Sequence, residues 1–296
     1  MRVIISGASG LIGSALSTAL RGGGHDVVHL VRRPASAGEI QWDPAAGVLA
    51  ADALDGADAV VHLAGAGIGD HRWTDEYKRE LIDSRVKSTT LLATTIAASS
   101  NRPPVLLSGS AIGYYGESDG RDLDEQSPAG TGFLANLCVQ WEAATAPAEA
   151  VGTRVAHLRT GIVLTPKGGA LKKMLPLFKL FLGGRFGKGT QWQSWVSLDD
   201  EVGAIIHLLT ADVRGAVNLT APNPVTNSAF TTALGRVLHR PTILPVPSFG
   251  PKLLLGGELA NALLFTGQKV LPKVLQATGY PFRHAQLEEA LTDLLA

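Results

Sequence analysis

Short apolar runs alternate along the chain with longer amphipathic stretches. "RVIIS" (2–6), "DVVHLVRR" (26–33), "AVVHLAG" (59–65), "PVLLSGS" (104–110) and "RVAHLRTGIVL" (154–164) read as strands, with a short "EIQWD" (39–43) between the second and third. "LIGSALSTALRGGG" (11–24), "DEYKRELIDSRVKSTTLLATTIAAS" (75–99) and "GTGFLANLCVQWEAATAPAEAV" (130–151) carry helical spacing, the first stopped by glycines. Near-continuous apolar strands separated by helices predict a parallel sheet covered on both faces. The expected fold is therefore α/β, a Rossmann-type doubly wound sheet.

The pattern changes after Leu164. A Gly- and Lys-rich segment (165–193) interrupts the alternation, and "SWVSLDDEVGAIIHLLTA" and "GAVNLTA" then resume it. From Pro222 the chain is Pro-rich and mixed, closing on the amphipathic "AQLEEALTDLLA". This predicts a nucleotide-binding domain from 1–164 plus about 195–221. A smaller C-terminal substrate domain is expected from about 165–194 plus 222–296.

Bulk numbers narrow the class. The 26 basic and 26 acidic side chains cancel, which argues against a broad nucleic-acid or membrane surface. The single cysteine, Cys138, cannot form an internal disulfide and fits a reducing cytoplasm. The start "MRVIISGASG" is too short in apolar residues for a signal peptide, and "PKLLLGGELANALLF" too interrupted for a membrane span. The expectation is a cytoplasmic protein with a small-molecule partner; homo-oligomers are not excluded. The eight His residues show no metal-binding spacing, so no metal site is expected.

"GASGLIG" places Gly7, Gly10 and Gly13 between the first strand and the first helix. The first glycine permits a tight turn. The second lets backbone N–H groups approach a pyrophosphate at the positive helix end, and the third allows close helix–strand packing. Ser9, Leu11 and Ile12 belong to the same candidate cofactor loop. An NAD site wants a carboxylate at the end of the second strand. Here stand Arg32 and Arg33, forks suited to a 2′-phosphate, so the expected cofactor is NADP(H). The plain alternative is a solvated basic turn.

"GASGLIGSAL", "VRRP", "HLAGAGIGDHRWT", "SRVKST", "SAIGYYGE", "GTQWQSWVSLDD" and "NLTAPNPVTNSAF" together resemble an atypical branch of the extended short-chain dehydrogenase/reductases. The branch is known only as "NAD(P)-dependent epimerase family protein", and the resemblance covers nearly the whole chain. It implies a Rossmann core, a nicotinamide cofactor and a small substrate domain. By that resemblance Leu63, Ala64 and Gly65 border the adenosine side. Arg85 occupies a cofactor-facing helix position, with a plain helix-surface arginine as the even alternative, and Thr160, Gly161 and Ile162 border the nicotinamide.

The same resemblance exposes a gap. The superfamily moves its proton with Tyr-x-x-x-Lys on a helix, the Lys lowering the phenol pKa. The matching helix here places Leu134 and Cys138 at those positions, or Phe133 and Leu137 in a register one residue earlier, and no Tyr-x-x-x-Lys occurs in the chain. The remaining catalytic candidates are Ser108 or Ser110 for the active-site Ser, and Tyr114 or Tyr115 as donors. For Tyr115 the reading as a rim or interface residue is slightly the better one. Gln193 stands where relatives that bind nucleotide sugars carry an Arg, and Gln cannot neutralise a diphosphate. Lys172, Lys173, Arg185 and Lys188 are candidates to attract an anionic substrate, with Trp192 and Trp195 as a stacking wall; an amphipathic helix followed by a solvated loop is the equal alternative.

Overall fold

The computed structural model describes residues 1–242 and 245–296; positions 243 and 244, inside the expected second domain, lie outside the described residues. The main sheet has seven strands. They are β1 (Arg2–Ser6), β2 (Asp26–Val31), β3 (Glu39–Gln41), β4 (Ala59–His62), β5 (Val105–Ala111), β6 (Arg154–Thr160) and β7 (Gly215–Leu219). Their order is β7-β6-β5-β4-β1-β2-β3, and every pairing is parallel. The order reverses between β1 and β4. In such sheets, ligands bind beyond the carboxyl ends of the strands at that reversal.

Side chains alternate across the sheet, and both faces are apolar. Val3, Ile5, Val61 and Leu107 point to one side. There they pack with Leu16 and Leu20 of α1 (Leu11–Gly22) and with Ile205 and Leu208 of a later helix, Leu198–Thr210. Ile4, Val60 and Leu106 point to the other side, against Leu92 and Ile96 of α2 (Asp75–Ala98). This double cover is why the strands read as continuous apolar runs.

Sequence and structure part in two places. The run 154–164 is not one strand. It breaks at Gly161, after which Ile162–Leu164 leaves the main sheet and pairs with Trp195–Ser197. A Cβ at Gly161 would lie 2.6 Å from the Ser194 carbonyl oxygen, so this close crossing needs a glycine. The helix expected over 130–151 is split into α3 (Phe133–Ala143) and α4 (Ala146–Ala150), because Pro147 fits only a first helical turn.

The remaining chain surrounds the carboxyl end of the sheet. Short pairs, Trp192–Gln193 with Val225–Thr226 and Lys269–Val270 with Asp122–Leu123, tie the late segments to that end. A separate core of Leu171, Phe178, Trp195, Phe230, Leu234 and Leu291 underlies them. Among the described residues no helix is long and apolar enough to cross a membrane. Nor does any cluster of His, Cys, Asp and Glu there offer a metal site.

Candidate functional site

The glycine turn is built by close backbone approach. Gly7 has φ 72°, and a Cβ there would stand 2.7 Å from the carbonyl of Leu63 and 2.8 Å from the nitrogen of Ala64. A Cβ at Gly13 would fall 2.3 Å from the Gly7 oxygen. Side chains are thus excluded where β1, α1 and the turn after β4 converge. The first turn of α1 has no side-chain cap and no acidic residue, and Ser9 and Gly10 at the turn are exposed. Open N–H groups and a positive helix end suit a pyrophosphate. Beneath the turn, Ser6 Oγ and His62 Nδ1 are 2.5 Å apart, and Ser88 Oγ lies 3.0 Å from Nε2. Burial, with the Arg85 charge second, pushes His62 down to about 3, so this network is neutral.

Beyond β2 the two arginines differ. Arg33 holds Glu39 with both nitrogens, at 2.7 and 2.6 Å. These bonds and the Ser36 N–H pull the Glu39 carboxyl down to about 2. Among the described residues Arg32 has no acidic partner, and its side chain is exposed. A carboxylate is therefore near the expected ribose site, but Arg33 occupies it.

Arg85 is a buried cation. It is 7% exposed and sits on the stripe of α2 that also buries Tyr77, Leu81, Ser88 and Leu92. Nη1 donates to the Leu81 carbonyl at 3.1 Å and Nη2 to the Ala66 carbonyl at 2.8 Å. Its guanidinium lies over the Trp141 ring, 5.0 Å from the centroid. Gly65 makes room, since a Cβ there would come 3.2 Å from Cζ of Arg85.

A cavity of about 210 Å³ opens at the carboxyl ends of β5 and β6. Of the residues expected from sequence, Arg85, Gly161, Ile162 and Gln193 meet around it. Leu134 and Cys138 also line it, as do Trp141 and Trp192. Thr160 stands one residue away, its hydroxyl donating at 2.8 Å to Glu201, a buried carboxyl that desolvation pushes up to about 8. Burial raises the Cys138 thiol to about 11, so it stays protonated.

The hydroxyl candidates lie elsewhere. Tyr115 is buried, donates to Asn218 Oδ1 at 2.7 Å and accepts from Arg159 Nη1 at 2.9 Å. Burial pushes its phenol up to about 12 despite the Arg159 charge. Ser110 donates to Glu142 at 2.6 Å, and Glu142 takes both Nε and Nη2 of Arg159 at 2.8 Å. Tyr114 stacks on that guanidinium, 3.4 Å from Cζ to the ring centroid. Ser108 is fully buried, and its hydroxyl has no partner among the described residues. Ser110, Tyr114 and Tyr115 meet in one network around Arg159 and Glu142, Ser108 stands apart from it, and none of the four lines the cavity.

Three substrate expectations change as well. Trp195 is fully buried and its indole donates to the Asn223 carbonyl at 3.1 Å, so it cannot stack on a ligand, whereas Trp192 lines the cavity. Lys172 and Arg185 are exposed and do not line the cavity. Trp192 and Trp195 are three residues apart in extended chain, which turns them to opposite faces, a parity the sequence offered.

An open parallel sheet with a glycine-turn cleft at its order reversal and an inner cavity defines a Rossmann-type, dinucleotide-fold protein. The NAD dependent epimerase/dehydratase family matches residues 3–220, and a domain of unknown function (DUF1731) matches residues 246–294. The chain belongs to the NAD dependent epimerase/dehydratase family. It is 47% identical over 291 residues to an epimerase family protein of Mycobacterium tuberculosis, covering 98% of this chain and 96% of that one. It is 38% identical over 300 residues to the human epimerase family protein SDR39U1, covering all of both. A crystal structure of that human protein with NADPH superposes with a TM-score of 0.91 at 36% identity, over 99% of each chain. UDP-glucose 4-epimerase from Thermotoga maritima, solved with UDP-glucose, shares the fold at 16% identity, with a TM-score of 0.79 over 100% of this chain and 97% of that one.

Proposed function

We propose that this chain is an NADP(H)-binding oxidoreductase of the epimerase type that acts on a compact small molecule. The observation that carries the proposal is the side-chain-free turn at Gly7, Gly10 and Gly13, beside an Arg32 with no acidic partner among the described residues. In this reading the open N–H groups of α1 hold the pyrophosphate and Arg32 holds the 2′-phosphate. The human relative's NADPH supports the same assignment. When bound, the nicotinamide supplies or accepts a hydride. The protein's part is to seat it against Gly161 and Ile162 and to keep the second ligand in the cavity. Arg85 stabilises negative charge there as a fixed donor. Among the described residues no phenol or amine lines the cavity, so the proton that balances hydride transfer to a carbonyl comes from water. The lone, buried Cys138 fits work in the reducing cytoplasm.

A second reading, an NADP(H)-binding sensor without turnover, is favoured by Leu134 and Cys138 facing the cavity at the family's Tyr and Lys positions. Single-turnover oxidation of bound NADPH, followed by nicotinamide absorbance across a panel of small aldehydes, ketones and oxo acids, separates the two. Oxidation by any member supports the oxidoreductase. NADPH bound tightly but inert to the whole panel supports the sensor.

A further inference from the structure

We propose that Arg85 is the receptor for a carboxylate, so that the second ligand of the cavity is a compact carboxylic acid. This rests on the reading above, in which the cavity neighbours the nicotinamide.

Arg85 is a guanidinium at 7% exposure that forms no ion pair among the described residues. A buried charge without a counter-ion is costly, and folds that keep one commonly do so for a ligand. Two backbone carbonyls, of Leu81 and Ala66, fix its plane, and Trp141 supports one face. Those carbonyls take two of the five N–H groups that a guanidinium carries, and three remain for a ligand. Gly65 has no side chain to cover the ion. The planar fork matches a carboxylate's two oxygens.

Size and charge select among anions. The cavity, about 210 Å³, lies below the roughly 300 Å³ at which pockets for drug-sized ligands begin. Arg85 is the one charged side chain among its lining residues, and Gln193 on the same lining is neutral. One positive charge balances a monocarboxylate and leaves a diphosphate half-neutralised. The lining is otherwise largely apolar, with Leu134, Leu137 and Trp192, which suits a short hydrocarbon or aryl body on the acid.

The test is calorimetry on the NADPH-saturated protein with acetate, pyruvate, 2-oxoisovalerate and benzoate, each against its neutral amide. NADPH affinity is measured first, so a failure of cofactor binding is seen separately. The expected result is that at least one acid binds about tenfold or more tighter than its amide. Arg85→Gln is expected to abolish that preference while NADPH affinity stays within about threefold. Arg85→Lys, which keeps the charge without the fork, should retain part of the preference and serves if the Gln variant fails to fold. The proposal is overturned if no acid is preferred over its amide, or if the preference survives in Arg85→Gln. It is also overturned if NADPH affinity itself falls about tenfold in that variant, which would make Arg85 a cofactor ligand.

Discussion

Arg33 grips Glu39 through both ends of its guanidinium, at 2.7 and 2.6 Å, and the adjacent Arg32 is left without an acid among the described residues. In the NADP(H) reading proposed above, the pair neutralises a carboxylate that lies beside β2, and nucleotide choice then rests on a side-chain pairing. Arg33→Ala should release Glu39. Its carboxyl then returns toward the ordinary range and can favour the unphosphorylated ribose. The expected outcome is a NADPH-to-NADH affinity ratio about tenfold smaller than in the parent protein. Fluorescence titration of both nucleotides checks it, and an unchanged ratio would remove Glu39 from the account.

Tyr115→Phe should act on stability. Its hydroxyl links Arg159 to Asn218 within the core, and deletion strands a buried donor and a buried acceptor. The loss expected is about 1–3 kcal/mol in chemical denaturation, with NADPH affinity unchanged. Full stability with NADPH oxidation abolished would instead make Tyr115 a proton donor.

Glu201 sets a pH dependence. Desolvation raises its carboxyl from 4.5 to about 8 in the fold, so between those values the unfolded chain releases a proton that the fold retains. Stability therefore falls as pH rises through that window. At about 1.4 kcal/mol per pH unit, the penalty reaches roughly 4–5 kcal/mol near its top. Glu201→Gln keeps the shape and cannot ionise, so thermal unfolding of the variant should be flatter from pH 5 to pH 8. Parallel curves would mean that Glu201 is already ionised in the folded protein.

Much of this site was legible in the sequence, because some signals are local. The glycine turn needs only strand, spacing and helix, and Gly7 and Gly13 sit where a side chain would collide with neighbouring backbone. The alternation of apolar runs gave the parallel sheet for the same reason. What was hidden depends on partners distant in the chain. The Arg159–Glu142 pair, which occupies the Ser110 and Tyr115 hydroxyls, spans α3 and β6. The break at Gly161 exists because Ser194 crosses there. Arg85 left a partial trace. The resemblance pointed it toward the cofactor against the even alternative of a helix-surface arginine, and the structure buries it on the stripe of α2 with Tyr77, Leu81, Ser88 and Leu92.

The central claim is that this fold holds NADP(H) through Arg32. Isothermal calorimetry of the parent protein and Arg32→Ala with NADPH and NADH tests it most directly. The account predicts NADPH binding about tenfold or more tighter than NADH, a preference that Arg32→Ala removes at a cost of about 1.5–3 kcal/mol in NADPH binding. Equal affinities in the parent protein, or tighter NADH binding, would contradict it.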